Sequence, residues 1–188
     1  MKHKIGIFGS AAGNLDKDIR KATELGKVFN EYADKAILLN GACSGMPSLV
    51  LSQAAKSNVE MFGYSSNLNK ITQLAEYPDV DLSLYSRIIY VPANFPGAKN
   101  DRVCKKYRNV VLTSNCDAGI IISGRWGSLN EFTNLLDMQK AVGVLTGTGG
   151  IADELEELSK KISKPGRGKI IFESDPKVLV EKMLQAID

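Results

Sequence analysis

The sequence is poor in two residue types on which disulfide-stapled domains and many hydrolases depend. Its three cysteines, Cys43, Cys104 and Cys116, are odd in number and far apart, which excludes a disulfide framework and a C-x-x-C metal-ligand pair. The only histidine, His3, lies ahead of the first predicted strand. Serine and cysteine hydrolases usually need a histidine as general base, so that class is disfavoured. We expect reduced thiols in an intracellular protein that folds without a metal.

Long apolar runs and a strong charge imbalance are missing as well. The apolar stretch near the amino terminus breaks at Gly9-Ser10, short of a signal peptide, and no later run approaches the length of a membrane span. A net charge of +3 is too small to indicate a nucleic-acid-binding surface by itself. We therefore expect a cytoplasmic protein that binds a small anionic ligand and neither a nucleic acid nor a membrane.

The composition that remains is that of an ordinary globular domain. Hydrophobic residues make up 44% and charged residues 24% of the 188 residues, as in average soluble proteins. A chain of this length buries roughly 70% of its unfolded surface around one core. We expect residues 1–188 to form a single domain.

Short β-branched segments alternate with helical patterns along the chain. The predicted strands are residues 4–8, 35–39, 59–63, 87–91, 119–122, 141–145 and 169–172. This order predicts a doubly wound, Rossmann-like α/β fold, with a mainly parallel central sheet of about seven strands and helices on both faces. Residues 118–122 are apolar without alternation, which is typical of a strand buried on both sides.

Helix and loop signals lie between these strands. An apolar stripe at helical spacing predicts a helix before the second strand, with Gly26 allowing close approach to the sheet; its members are Leu15, Ile19, Ala22, Gly26 and Phe29. Asp175 and Pro176 predict the start of the last helix. Residues 65–86 and 92–99 are predicted to be long irregular loops, which often act as lids or binding loops.

Glycine-bearing loops follow four of the predicted strands, at residues 9–13, 40–45, 123–128 and 147–150. Ligands of open α/β sheets bind outside the carboxyl ends of the strands, where helix amino termini present unpaired N–H groups. One such loop is weak evidence, because tight turns use glycine for steric reasons. Four loops at corresponding strand ends favour a phosphorylated ligand.

Two common nucleotide fingerprints are absent. The first loop has the spacing G-x-x-G-x-x-x-G from Gly6, which is not the G-x-G-x-x-G of dinucleotide-binding domains, and Asn40-Gly41 stands where an acidic ribose partner would lie. No glycine is followed by Lys-Ser or Lys-Thr, so a P-loop is also excluded.

Two of the loops belong to longer motifs. Residues 40–47 have the sequence N-G-A-C-S-G-M-P and residues 123–131 the sequence S-G-R-W-G-S-L-N-E. They resemble the G-G-G-x-x-G-hydrophobic-Met and P-G-G-x-G-T-x-x-E motifs of the lonely-guy (LOG) family of Rossmann-like proteins, and the order of elements agrees over nearly the whole chain. Arg108 precedes Asp117 by nine residues and Glu131 follows it by fourteen, which is similar to the register of that family.

The resemblance implies a homodimeric, or higher homo-oligomeric, phosphoribohydrolase. Such an enzyme splits the N-glycosidic bond of a nucleoside 5′-monophosphate into a free base and ribose 5-phosphate. We expect neither a metal nor a cofactor. Arg108 and Glu131 would be the catalytic pair. A carboxylate can stabilise the positive charge that develops on the ribose and orient or deprotonate water, and an arginine offers a fixed fork of donors to phosphate or ribose oxygens.

The same resemblance assigns ligand contacts to three glycine-bearing loops. The expected ligand-binding residues are Gly9, Ser10, Gly41, Gly45, Met46, Gly124, Arg125, Trp126, Gly127 and Ser128, with Arg102 and Asn94 as further candidates.

The motifs also depart from the family pattern. Ser123, Arg125 and Ser128 replace proline, glycine and threonine, and Asn40 and Ala42 replace two glycines. Arg125 could add a phosphate contact or obstruct the cleft. Molybdenum-cofactor carrier proteins have a similar fold and hold a phosphorylated pterin without catalysis, so a carrier or sensor that only binds its ligand is the alternative.

Structural roles are open for individual residues as well. Ser128 and Glu131 have the S-x-x-E form of a capping box, which would only start a helix. Arg108 could belong to a solvated basic helix. Trp126 could stack on a base or pack its loop against the sheet, and for Cys43 small-residue packing is favoured over a reactive thiol, since nothing nearby in the sequence lowers its pKa.

Overall fold

The computed structural model describes residues 1–10, 19–162 and 168–187. Within these ranges, one sheet contains seven strands, all parallel. The strands are β1 His3–Gly9, β2 Ala36–Asn40, β3 Glu60–Tyr64, β4 Arg87–Ile89, β5 Ala118–Ile122, β6 Ala141–Leu145 and β7 Ile170–Glu173. The helices are α1 Ile19–Phe29, α2 Met46–Ala54, α3 Lys70–Glu76, α4 Asp101–Asn115, α5 Trp126–Asp137, α6 Gly150–Lys161 and α7 Pro176–Ile187. The predicted Rossmann-like α/β fold is confirmed.

The strand order β4-β3-β2-β1-β5-β6-β7 places the switch in winding direction between β1 and β5. The chain builds outward from β1 to β4, returns to the centre for β5 and then builds outward on the other side. Gly9, at the end of β1, is paired with Ile122, at the end of β5. The loops after these strands must diverge, which creates a crevice at the carboxyl edge.

Helices cover both faces of the sheet, as predicted. One apolar cluster joins α1, α2 and α7 to the sheet, and a second joins α4, α5 and α6 to the opposite face. All five residues of β5 are buried, because this central strand is covered on both sides. Gly26 has a different role from the predicted one: a side chain there would collide with the Val50 carbonyl of α2, so Gly26 allows contact between two helices.

The segment 65–86, predicted to be irregular, contains a helix. Helix α3 begins after Asn69, whose side chain accepts hydrogen bonds from the Ile71 and Thr72 amides at 3.0 and 3.1 Å. Its only buried side chain is Gln73, whereas Ile71 is 81% exposed. Ile71 and Leu74 stand at helical spacing but are both exposed, so the helix buries no apolar stripe, and its seven residues are too short a segment for periodicity to predict it.

Other predictions concern residues outside the described ranges or general properties of the chain. Leu15 of the predicted stripe and residues 11–13 of the first glycine loop lie outside the described residues. Residues 92–99 form turns, as predicted. In the described part of the chain no helix is long and apolar enough to cross a membrane, and no three His, Cys, Asp or Glu side chains cluster as metal ligands would.

Candidate functional site

A cavity of about 400 Å³ opens at the switch point, bounded by the ends of β1 and β2 and by helices α4 and α5. Volumes of this order accept small-molecule ligands. Its lining contains both predicted catalytic residues and most of the predicted ligand-binding residues, and it is formed by Ile7, Phe8, Gly9, Ser10, Gly41, Cys43, Pro47, Arg102, Lys105, Lys106, Arg108, Asn109, Arg125, Gly127, Ser128 and Glu131. Gly45, Met46, Gly124, Trp126 and Asn94 are not among the residues that line it.

The turn after β2 is held by a buried asparagine. The Asn40 side-chain oxygen accepts hydrogen bonds from the Ala42 amide at 2.9 Å and from the Tyr85 hydroxyl at 3.0 Å. Ala42 has a φ of +47°, a conformation that favours glycine. The two residues that replace glycines are therefore coupled, because Asn40 bonds to the turn in which Ala42 adopts its left-handed backbone.

A second buried side chain supports the same turn from α3. The Gln73 amide donates to the Ala42 carbonyl at 2.6 Å, and its oxygen accepts from the Ser65 hydroxyl. Gln73 is fully buried. Helix α3 thus fixes the position of the neighbouring Gly41, which lines the cavity.

The first two residues of α2 offer no amide to a ligand. The Met46 amide donates to the Ser10 carbonyl at 3.0 Å, and the next residue, Pro47, has no N–H. The Met46 side chain is 1% exposed and belongs to the apolar cluster of α1, α2 and α7. Gly45 precedes the helix with a φ of +112°. These two residues shape the loop without lining the cavity.

The fourth glycine-bearing loop is bound by a carboxylate of the chain itself. Asp153 of α6 accepts the Gly147 amide at 2.6 Å and the Gly149 amide at 2.9 Å. Thr148 in the same loop accepts the Ser123 amide at 2.8 Å. The Ser123 and Gly124 carbonyls in turn accept the first amides of α6. The loop therefore supports the turn after β5 instead of offering its amides to a ligand.

Helix α5 has an open amino terminus. It begins at Trp126, and no side chain caps it, so its first N–H groups lack partners within the helix. A side chain built at Gly127 would meet nothing within 4 Å. Helix amino termini of this kind attract anions. A phosphate at the cavity can reach the Gly127 and Ser128 backbone from this side.

Two structural alternatives for this segment are wrong. The helix starts two residues before Ser128, so Ser128 and Glu131 lie inside the first turns and form no capping box. Trp126 is 82% exposed, so it does not pack its loop against the sheet.

Glu131 is the one carboxylate that the described residues contribute to the cavity. It projects from the second turn of α5 and is 7% exposed. Burial raises the pKa of the Glu131 carboxyl to about 7, although the Arg108 and Lys106 cations act in the opposite direction. A group with such a pKa exchanges protons near neutral pH, as general acids and bases do.

Arg108 reaches the cavity from α4. Its guanidinium lies so close to Gly41 that a methyl group there would overlap Nη1. The Arg108 Nε is buried and has no hydrogen-bond partner among the described residues, which excludes a solvated basic helix as its environment. Burial raises the pKa of the neighbouring Cys43 thiol despite the Arg108 charge. Cys43 is therefore a poor nucleophile, as expected.

Helix α4 adds three cations and an amide, of which the sequence had suggested only Arg102. Lys105 forms a 2.9 Å ion pair with Glu76. The Lys106 and Asn109 side chains both donate to the Asn130 oxygen on α5, at 3.3 and 3.2 Å. Their spacing of three and four residues places Arg102, Lys105, Lys106 and Asn109 on one face. This spacing is visible in the sequence, but the sequence does not show that the face packs beside α5.

One protein family and several solved structures are similar to this chain. A sequence profile described as LDcluster4, the SLOG cluster4 family, matches residues 2–180. No curated protein is significantly similar to the chain in sequence.

Solved structures share the fold over nearly the full length. The X-ray structure of TM1055 aligns with a TM-score of 0.75 at 18% identity, covering 98% of this chain and 99% of that one. The molybdenum cofactor binding protein of the phototrophic bacterium Rippkaea orientalis aligns with a TM-score of 0.68 at 20% identity, covering 100% and 99%. The molybdenum cofactor carrier protein of Chlamydomonas reinhardtii gives 0.67 at 17% identity, covering 100% and 99%. At these identities the similarity shows a common fold.

Proposed function

Since the chain belongs to the SLOG cluster4 family, which has a Rossmann-like nucleotide-binding fold, we propose that it is a nucleoside 5′-monophosphate phosphoribohydrolase. It hydrolyses the N-glycosidic bond of the nucleotide and releases a free base and ribose 5-phosphate. Glu131 and Arg108 are the catalytic residues, and the amino terminus of α5 receives the phosphate. The LOG resemblance of the two motifs supports this finer assignment.

One observation carries the proposal: a buried carboxylate and a partly buried guanidinium line the same cation-rich cavity. The anionic end of a nucleotide is attracted by the cations, and the ionised Glu131 then lies in a cavity where positive charge develops on the ribose. No other acidic side chain of the described residues lines this cavity. The carboxylate has no competitor for the role among the lining residues.

The reaction needs water and proton transfers. The C1′–N bond breaks, and its electron pair stays on the base nitrogen. The oxygen of water forms the new bond to C1′, and its proton is taken up by the ionised Glu131. The base nitrogen takes a proton from solvent, and Glu131 then releases its proton to solvent, which restores the site. Arg108 holds phosphate or ribose oxygens during this step through its fork of N–H groups.

Glu131→Gln tests the mechanism. The amide keeps the shape of the side chain but can neither accept the proton nor stabilise a cation, so we expect kcat for release of ribose 5-phosphate to fall by about 10²-fold or more. AMP, GMP, CMP and UMP are the substrates to assay. The matched control is Glu154→Gln on the exposed side of α6, which should retain the wild-type rate. A Glu131→Gln variant as active as the control would remove Glu131 from the mechanism.

The second candidate function is binding without turnover, as in a carrier or sensor. The two molybdenum cofactor proteins correspond to this chain over its whole length, and a cavity lined by five cationic side chains suits the charge of a phosphorylated pterin. The observation that favours this candidate is Arg125, which stands at the phosphate turn where the LOG pattern has glycine. If no monophosphate is cleaved, a phosphorylated ligand should still raise the melting temperature of the protein.

A further inference from the structure

The charge of the cavity exceeds what one phosphate neutralises. Among the described residues, its lining contains five cationic side chains, Arg102, Lys105, Lys106, Arg108 and Arg125, and one carboxylate, Glu131. Like charges in one cleft repel one another, and a bound anion relieves that repulsion. A monophosphate ester carries a charge of about −1.5 to −2 at neutral pH. It leaves a substantial part of the positive charge uncompensated.

Among the described residues, only one of these cations forms an ion pair with an acidic side chain. Lys105 is paired with Glu76 at 2.9 Å. Within the described ranges, Arg102 and Lys106 form no ion pair, and the Lys106 ammonium contacts the neutral Asn130 amide at 3.3 Å. Both side chains point from the same face of α4 toward the cavity that they line. Two cations are thus available to a ligand beyond Arg108 and Arg125.

The two available cations, Arg102 and Lys106, belong to a part of the cavity other than the open amino terminus of α5. Asn130 lies four residues after Trp126, a distance of about 6 Å along the helix. Lys106 is held next to Asn130, and Asn109 donates to the same oxygen from the next turn of α4. The cavity therefore has a polar, cationic wall in addition to the helix terminus.

We propose that the site accommodates two linked anionic groups, with one phosphate at the α5 terminus and Arg125 and a second against Arg102 and Lys106, so that its preferred ligand class is a nucleotide carrying a diphosphate. This inference rests on the proposed nucleotide site and extends it. A monophosphate binds at the helix terminus alone. The second group adds charge-assisted hydrogen bonds, which are among the strong ones in proteins.

Affinity measurements with two nucleotides test the inference. AMP and ADP are titrated calorimetrically into full-length protein carrying Glu131→Gln, so that turnover does not interfere. We expect ADP to bind at least about tenfold more tightly than AMP, the ratio that one net charge-assisted hydrogen bond provides. Adding Arg102→Gln and Lys106→Gln should reduce the ADP-to-AMP ratio to about twofold, because the second phosphate loses its partners.

The matched control removes two cations elsewhere. Lys27 and Lys56 are exposed and lie near α1 and α2, on the opposite face of the sheet. The Lys27→Gln/Lys56→Gln variant has the same net charge as the test variant and should keep the full ADP preference. Four results would overturn the inference. In the parent protein, these are an ADP-to-AMP affinity ratio near one or no binding of either nucleotide. In the variants, they are an unchanged ratio in the test variant or an equal loss of ADP preference in the control variant. Failure of hydrolysis alone leaves the affinity ratio intact, so the two proposals fail separately.

Discussion

At the scale of single residues, the titration of Glu131 decides what the site can do. Burial raises the pKa of the Glu131 carboxyl to about 7, so the carboxyl is mostly protonated below that pH. The proposed reaction needs the ionised form. The rate of N-glycosidic hydrolysis should therefore rise as the pH increases through about 7 and level off above it. A rate profile of kcat against pH measures this. A profile that is flat between pH 5 and 8 would contradict the assignment of Glu131 as the base, since it is the only carboxylate that the described part of the chain contributes to the lining.

The same pKa makes the stability of the protein depend on pH. The folded-state pKa of Glu131 is raised from 4.5 to about 7, so between these values the native state binds more protons than the unfolded state. The free energy of unfolding then falls as the pH rises through this window. Glu131→Gln has no charge to bury, so we expect its melting temperature to match the wild type near pH 4.5 and to exceed it by several degrees at pH 8. Thermal unfolding at both pH values measures the difference, with Glu154→Gln as control; a constant difference would mean that Glu131 titrates normally.

At the scale of elements, the amino terminus of α5 is the feature on which ligand binding depends. Trp126 is the first residue of the helix and is 82% exposed, and Arg125 before it has an extended backbone. Proline is tolerated at such a position, where it removes one N–H group without breaking the helix. Trp126→Pro and Trp126→Ala both lose the indole, but only the first loses the amide. We expect Trp126→Pro to bind AMP several-fold more weakly than Trp126→Ala, measured by calorimetry; equal affinities would exclude that amide as a phosphate donor.

The elements also show how far the sequence can be interpreted. The strands and the sheet were predictable because a short, continuously apolar run such as residues 118–122 is by itself typical of a strand buried on both faces. Helix α3 was not, since its position is fixed by a polar cap at Asn69 and by the contact of Gln73 with a turn distant in sequence. Arg108 and Glu131 were identified by motif spacing, and the structure brings both to one cavity. Lys106 was not identified, because which face of α4 meets α5 depends on packing.

At the scale of the whole molecule, homodimer formation stays a prediction implied by the LOG resemblance. Exposed apolar side chains offer a surface for it: Val103 and Val110, seven residues apart on α4, are 40% and 47% exposed. Burial of such side chains stabilises protein contacts. We expect light scattering after gel filtration to give twice the mass of the chain, and Val110→Lys to shift the protein toward the monomer. A wild-type monomer at all concentrations would exclude the dimer, and a dimer indifferent to Val110→Lys would place its interface elsewhere.

The carboxylate of Asp153 has a consequence for the direction from which a ligand arrives. Its oxygens accept hydrogen bonds from the Gly147 and Gly149 amides, so the chain's own carboxylate already occupies the N–H groups of the loop after β6. The amides of that loop are therefore not available to a phosphate, while the cations that α4 contributes to the cavity lining attract one. We expect an incoming nucleotide to pass Arg102 and Lys106 before it reaches Glu131, because these exposed cations of α4 attract its phosphate.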